Sequence, residues 1–134
     1  MGIKKNILIE ISNQYGLPVY IYDEDKIIEQ FQKLENAFSE IENLKINYAI
    51  KALSNINILK IIKKIGGDVD AVSIEEVKIA LYVGFKPDQI FFTPSGVDLG
   101  EIEEAFKYGV QINIDNFRAL KKNFKQVSRC LNWN

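Results

Sequence analysis

Apolar residues recur along this chain in two alternating rhythms. Short runs of period two begin near Ile46, Val69, Ile90 and Ile112, and segments of helical period lie between them. The first helical segment covers residues 55–65, with Ile58, Ile62 and Ile65 on one face and Gly66-Gly67 as a stop. The second covers 74–83, with Val77, Ala80 and Leu81 inward and Gly84 after it. The third covers 99–108, with Ile102, Ala105 and Phe106 inward and Gly109 after it. The strand starts return about every 22 residues, the length of a minimal βα unit. Four such units predict an α/β fold with a parallel sheet.

Ahead of the first unit, residues 18–22 read as a strand. Asp23 then caps a long helix whose stripe is Ile27, Phe31, Leu34, Phe38 and Ile41. A further helix starts near Asn116 with Phe117, Leu120 and Phe124, and no strand pattern follows it. The chain therefore divides into an entry segment (1–22), a helix with βα units (23–120) and a polar tail (121–134). Four units suit half of a closed eight-stranded barrel, or a small open doubly wound sheet. Periodicity alone does not choose between them.

Composition narrows the partners. The 134 residues are 47% hydrophobic and 26% charged, which is globular composition. A net charge of -1 gives no electrostatic case for nucleic acid or an anionic membrane, and Lys4-Lys5 and Lys121-Lys122 are pairs rather than patches. Ile7-Leu8-Ile9 is broken at once by Glu10, too soon for a signal peptide, and no stretch reaches the roughly 20 apolar residues of a membrane span. Cys130 is the only cysteine, so a reducing cytoplasm is expected. There is no histidine, which removes the commonest metal ligand and the commonest general base.

The most informative residue is Lys51. Alternation puts Ile46, Tyr48 and Ile50 on one face of its strand, and Asn47, Ala49 and Lys51 on the other. In a barrel the bulky face packs on helices and the small, polar face lines the interior. The Lys51 ammonium then stands at the C-terminal rim, where barrel enzymes place their chemistry. Partial desolvation there lowers a lysine's pKa and frees the amine for imine formation with an aldehyde. The plain alternative is a strand-end lysine reaching into solvent. Asp70, on the face that carries Asp68 and Val72, points to the same rim and could orient the lysine by a charge-assisted hydrogen bond; the alternative is a loop aspartate. Ser73 with Glu76 forms a capping-box pattern, Asp98 with Glu101 repeats it, and Ser54-Asn55 caps the helix after Lys51. Thr93-Pro94-Ser95-Gly96 reads as a turn. No phosphate-loop motif and no zinc spacing is present.

Several segments in order resemble the diaminopimelate decarboxylase family, in the ornithine/diaminopimelate/arginine decarboxylase class of fold type III. They are Gly16-Leu17-Pro18-Val19-Tyr20-Ile21-Tyr22-Asp23, Asn47-Tyr48-Ala49-Ile50-Lys51-Ala52-Leu53-Ser54-Asn55 and Asp68-Val69-Asp70-Ala71-Val72-Ser73. Ile90-Phe91-Phe92-Thr93-Pro94 and Ile112-Asn113-Ile114-Asp115-Asn116 complete the series. The resemblance covers about residues 7 to 120. It implies the N-terminal half of an alanine-racemase-like (β/α)8 barrel, with 1–134 forming a partial pyridoxal-phosphate-binding domain. It implies pyridoxal 5'-phosphate as cofactor, Lys51 as the residue that bears it, and Asp70 beside it as the second catalytic candidate. It further implies an amino-acid substrate, meso-diaminopimelate decarboxylated to L-lysine, and a homodimer in the full-length family. Family members are much longer. Their remaining portion carries the ring-stacking histidine, the glycine-rich phosphate site, the acid at the pyridine nitrogen and the substrate-binding residues. The expectation is a truncated chain, inactive as given. Two other readings remain: another pyridoxal-phosphate barrel protein (an ornithine- or arginine-type decarboxylase, an alanine racemase or a carrier), and a non-catalytic remnant.

Overall fold

A computed structural model describes residues 3–94, 96 and 98–113. The chain divides into two compact units, with the boundary between Leu44 and Lys45.

The first unit is helical. α1 spans Lys5–Tyr15 and α2 spans Glu24–Ala37. The strand-and-helix pattern gave no element at α1, yet Ile7, Leu8 and Ile11 recur at three- and four-residue spacing. Gly16 ends the helix at φ +78, its N–H donating to the Ser12 carbonyl at 2.9 Å. Asp23 caps α2 as expected, its Oδ1 accepting from the Lys26 N–H at 3.2 Å. α2 stops at Ala37, so Phe38 is its cap and Ile41 lies beyond it, which shortens the expected stripe. The strand expected over 18–22 is not formed. An extended segment becomes a strand only when a neighbour takes its hydrogen bonds, and Pro18 has no N–H to give. This unit contains no strand among the described residues.

The second unit holds the sheet. β1 (Asn47–Ala49), β2 (Asp68–Ala71), β3 (Ile90–Phe92) and β4 (Gln111–Ile112) pair in parallel, in the order β1-β2-β3-β4. The helices between them are α3 (Ile56–Lys64), α4 (Ile74–Val83) and α5 (Leu99–Lys107). Each strand start lies within a residue of its expected position. The strand order decides what periodicity left open. A doubly wound sheet reverses direction at a switch point and so carries helices on both faces. Here each strand is added beside the previous one without reversal, as in a barrel wall.

Burial agrees with that order. The register aligns Val69 with Ile90 and Ala71 with Phe92, and all four side chains are fully buried. Ile58, Leu59 and Ile62 of α3, Val77 and Ala80 of α4, and Ile102 and Ala105 of α5 are the helical members of this core. The other face carries Asn47, Ala49, Asp68, Asp70, Phe91 and Gln111, aligned across the four strands. It is more polar and less buried than the first face: Asn47 and Gln111 are exposed, Ala49, Asp70 and Phe91 half-buried, and Asp68 alone of the six is buried. The structure also shifts some inward positions. Leu59 is fully buried, whereas Ile65 is the half-buried cap of α3, Leu81 is half-buried, and Phe106, expected inward, is exposed.

The helix ends follow the expected devices. Gly66 (φ +86) and Gly67 close α3, the Gly67 N–H donating to Ile62 O at 3.0 Å. Gly84 (φ +94) closes α4. The helix expected from Asn116 and the 121–134 tail lie outside the described residues.

Candidate functional site

Two side chains select the C-terminal ends of the strands. β1 is shorter than expected. It ends at Ala49, and Ile50-Lys51-Ala52 form a single turn of 3-10 helix. Lys51 therefore follows the strand rather than completing it. This turn is anchored on both sides. Ile50 is fully buried under the helices, and the Leu53 N–H closes the turn onto Ile50 O at 3.0 Å. The Tyr48 hydroxyl then donates to Leu53 O at 3.1 Å. The backbone of Lys51 is thus fixed while its side chain is exposed. The expected partial desolvation of the ammonium is not supplied by the described residues. Nor do they give it a hydrogen bond or ion pair, so the amine stands open at the rim.

Asp70 lies one strand over. Ala49 of β1, Asp70 of β2, Phe91 of β3 and Gln111 of β4 are aligned on the open face, one level below Lys51. Asp70 thus stands near the end of β2, and Lys51 lies just past the end of the neighbouring β1. They are not bonded to each other. The carboxylate is half-buried, and its Oδ1 accepts from the Thr93 hydroxyl at 2.8 Å. Thr93 is a rim residue that sequence reasoning left in a turn. The available signal was the alternation Phe91–Thr93 carried one step past the strand.

The helix N-termini behind the rim are occupied by the chain's own oxygens. Asn55 Oδ1 accepts from the Asn57 N–H at 2.9 Å in front of α3. At α4, Ser73 Oγ accepts from the Glu76 N–H at 3.3 Å, and the Val72 N–H donates to Glu76 Oε2 at 2.8 Å. The capping box therefore reaches one residue further back than the pattern implies. Asp98 Oδ1 accepts from the Glu101 N–H at 3.0 Å at α5, and Glu101 Oε2 in turn accepts from the Ile74 N–H at 3.5 Å. Each of these ends thus has a first-turn N–H already taken by a side-chain oxygen, with which a bound anion would compete. An exposed primary amine such as that of Lys51 is of the chemical type that forms an imine with an aldehyde.

The opposite end of the same face is structural. Asp68 is buried at 7% exposure, with Gln89 Nε2 donating to Oδ1 at 3.2 Å and the Lys45 ammonium 3.5 Å from Oδ2. Lys45 also lies 5.9 Å from the centre of the Phe91 ring. This cluster joins the N-terminal ends of β1, β2 and β3, away from Lys51. Among the described residues no group of acids and cysteines is arranged to hold a metal. No described helix is long and apolar enough to cross a membrane.

Comparison with known proteins agrees with this geometry. Residues 24–129 match the family model described as pyridoxal-dependent decarboxylase, pyridoxal binding domain. Diaminopimelate decarboxylase of Methanothermobacter thermautotrophicus is 38% identical over 109 residues, covering 81% of this chain and 26% of that protein. The Helicobacter pylori J99 enzyme of the same name is 40% identical over 113 residues, covering 84% and 28%. In solved structures, the H. pylori diaminopimelate decarboxylase complexed with L-lysine superposes with a TM-score of 0.83 at 34% identity, over 93% of this chain and 32% of that one. A lysine/ornithine decarboxylase from Vibrio vulnificus complexed with putrescine gives 0.79 at 25% identity, over 87% and 32%. The chain spans 26–28% of the length of these two curated relatives. A half-barrel of consecutive parallel strands, a rim lysine and this match together assign the chain to the pyridoxal-dependent decarboxylases, within their pyridoxal-binding barrel domain.

Proposed function

We propose that this chain is the N-terminal part of a pyridoxal-phosphate-dependent diaminopimelate decarboxylase, with Lys51 as the residue that carries the cofactor. The observation that carries the reading is the open primary amine at the C-terminal rim, on a backbone turn held by Ile50 and Tyr48. Pyridoxal phosphate, when bound, would supply an electron sink for the pair released as CO2 leaves. Lys51 would supply the nucleophilic amine, and Asp70, at the end of the neighbouring strand, would orient it through a charge-assisted hydrogen bond. On the inner wall Ala49, beside Asp70 in the register, adds only a methyl group. Phosphate binding, ring stacking and substrate selection fall to parts of the whole enzyme beyond these residues, and the absence of any histidine in the chain supports that division.

The substrate is meso-diaminopimelate rather than ornithine or lysine. What supports this is that the two curated relatives named above are both diaminopimelate decarboxylases, at 38% and 40% identity. A cytoplasmic homodimer acting on a small amino acid, with no nucleic-acid or membrane partner, completes the proposal.

The test is chemical. Pyridoxal phosphate is added, the adduct is reduced with borohydride, and the labelled peptide is mapped. The label is expected on Lys51 and lost in Lys51→Arg. A label that falls instead on Lys26 or Lys60 sinks the assignment.

A further inference from the structure

Thr93 stands one residue past the end of β3, and two hydrogen bonds tie it to β2. Its N–H donates to Ala71 O at 2.8 Å, and its hydroxyl donates to Asp70 Oδ1 at 2.8 Å. The direction of the second bond is set by chemistry, since an ionised carboxylate only accepts. The first bond continues the β2–β3 ladder, so the Thr93 backbone is held by the sheet. A β-branched side chain on a fixed backbone has few rotamers to choose from. The hydroxyl is therefore placed by the fold itself. Asp70 is the residue it touches, half-buried on the open face and level with Ala49, just below Lys51.

We propose that Thr93 is a positioning residue. By occupying Oδ1 it locks the Asp70 carboxylate in one rotamer and leaves Oδ2 as the free acceptor at the level where Lys51 reacts. This rests on the reading of Lys51 and Asp70 given above. A purely structural clamp between strand ends would differ in its consequences. Its loss would lower stability without changing how Lys51 behaves.

The two roles separate in Thr93→Val, which keeps the shape and removes the donor, and in Thr93→Ser, which keeps the hydroxyl. Two quantities are read on the 134-residue chain. One is the set of three-bond couplings from Asp70 Cγ to its own backbone nitrogen and carbonyl carbon, which report its side-chain rotamer. The other is the rate of pyridoxyl labelling at Lys51, from pyridoxal phosphate with borohydride, relative to the other lysines. Wild type and Thr93→Ser should show a single Asp70 rotamer, and Thr93→Val an average. Relative labelling of Lys51 should fall about tenfold in Thr93→Val and stay within about twofold of wild type in Thr93→Ser.

A single rotamer in Thr93→Val overturns the proposal, and so do averaged rotamers with unchanged Lys51 labelling. Should the valine variant fail to give a folded amide spectrum, rotamer averaging in the wild type would overturn it without any variant. A wild-type chain that labels Lys51 no faster than its other lysines refutes the Lys51 reading and the reactive half of this proposal. In that case the couplings still decide whether Thr93 holds Asp70.

Discussion

Phe91 and Phe92 are neighbours in one strand and should behave as residues of different proteins. Phe92 is fully buried and lies between Ala71 and Ile112 in the register, on the face packed by helices. Truncating a phenylalanine in such a place costs about 3–5 kcal/mol, from lost transfer energy and the cavity left behind. Phe91 points to the open face, is half-buried, and has the Lys45 ammonium near its ring. Removing it forfeits partial burial plus a semi-exposed cation–π contact, about 1–2 kcal/mol in sum. A unit of this size is stable by about 5–10 kcal/mol, so Phe92→Ala takes away a large share of the total. With a urea slope of about 1–2 kcal/mol/M common to both variants, its midpoint should fall by roughly 1.5–5 M, and that of Phe91→Ala by roughly 0.5–2 M, well under the first at any one slope. Urea unfolding of both variants followed by circular dichroism, at one protein concentration, measures the difference. Equal losses for the two would refute the assignment of one helix-covered face and one open interior face, and with it the half-barrel.

Three further outcomes follow from particular contacts. Glu104 accepts from Lys78 at 3.0 Å across α4 and α5 and from the Tyr108 hydroxyl at 3.1 Å, and its carboxyl is held below the usual value, chiefly by the Lys78 hydrogen bond. Its contribution is therefore present above the ordinary carboxyl range and is lost as pH falls through the lowered value, so the melting difference between wild type and Glu104→Gln should shrink from pH 6 to pH 3. A difference that grows on acidification would contradict this. Gly84 caps α4 at φ +94, where an alanine is strained, and its Cβ would also lie 2.7 Å from Lys63 Nζ. The lysine end can swing away, so the backbone strain of about 1–2 kcal/mol dominates and Gly84→Ala should melt roughly 5–10 °C lower; an unchanged melt would rule out the strained cap. Finally, the purified 134-residue chain should release no steady CO2 from diaminopimelate even with excess pyridoxal phosphate, because a chain with no histidine and 26–28% of its relatives' length holds only part of the proposed site. Sustained turnover would show that the chain holds a complete site.

The sequence by itself determined the repeating unit. Inter-strand spacing, glycine stops and oxygen-bearing caps are local signals, set by which side chain a given backbone angle tolerates and which N–H lacks a partner. The four strands, the three helices between them and the caps at Asp23, Asn55, Ser73 and Asp98 were accordingly legible. So was the two-faced character of β1, since alternation is a property of the extended chain. Lys51 stood out because a charged residue closing such a run lacks a packing reason. The 18–22 segment misled because a strand exists only through its neighbour, and composition carries no information about whether one is there. α1 was overlooked because a single helical turn of isoleucines also reads as a short apolar run.

What only the tertiary structure decided was which distant residues meet. The consecutive order of strands, which selects a barrel wall over a doubly wound sheet, is a long-range choice that no local period encodes. The partner of Asp70 was equally invisible. Thr93 comes from a different βα unit and reaches the carboxylate only because parallel register brings the ends of β2 and β3 side by side. The anchoring of the Lys51 turn by Tyr48 is intermediate in kind. It spans five residues, but it forms only because burial of Ile50 bends the chain into a 3-10 turn at the end of the strand. Pattern along the chain thus names the candidate amine, and packing across the sheet supplies the groups that hold it in place.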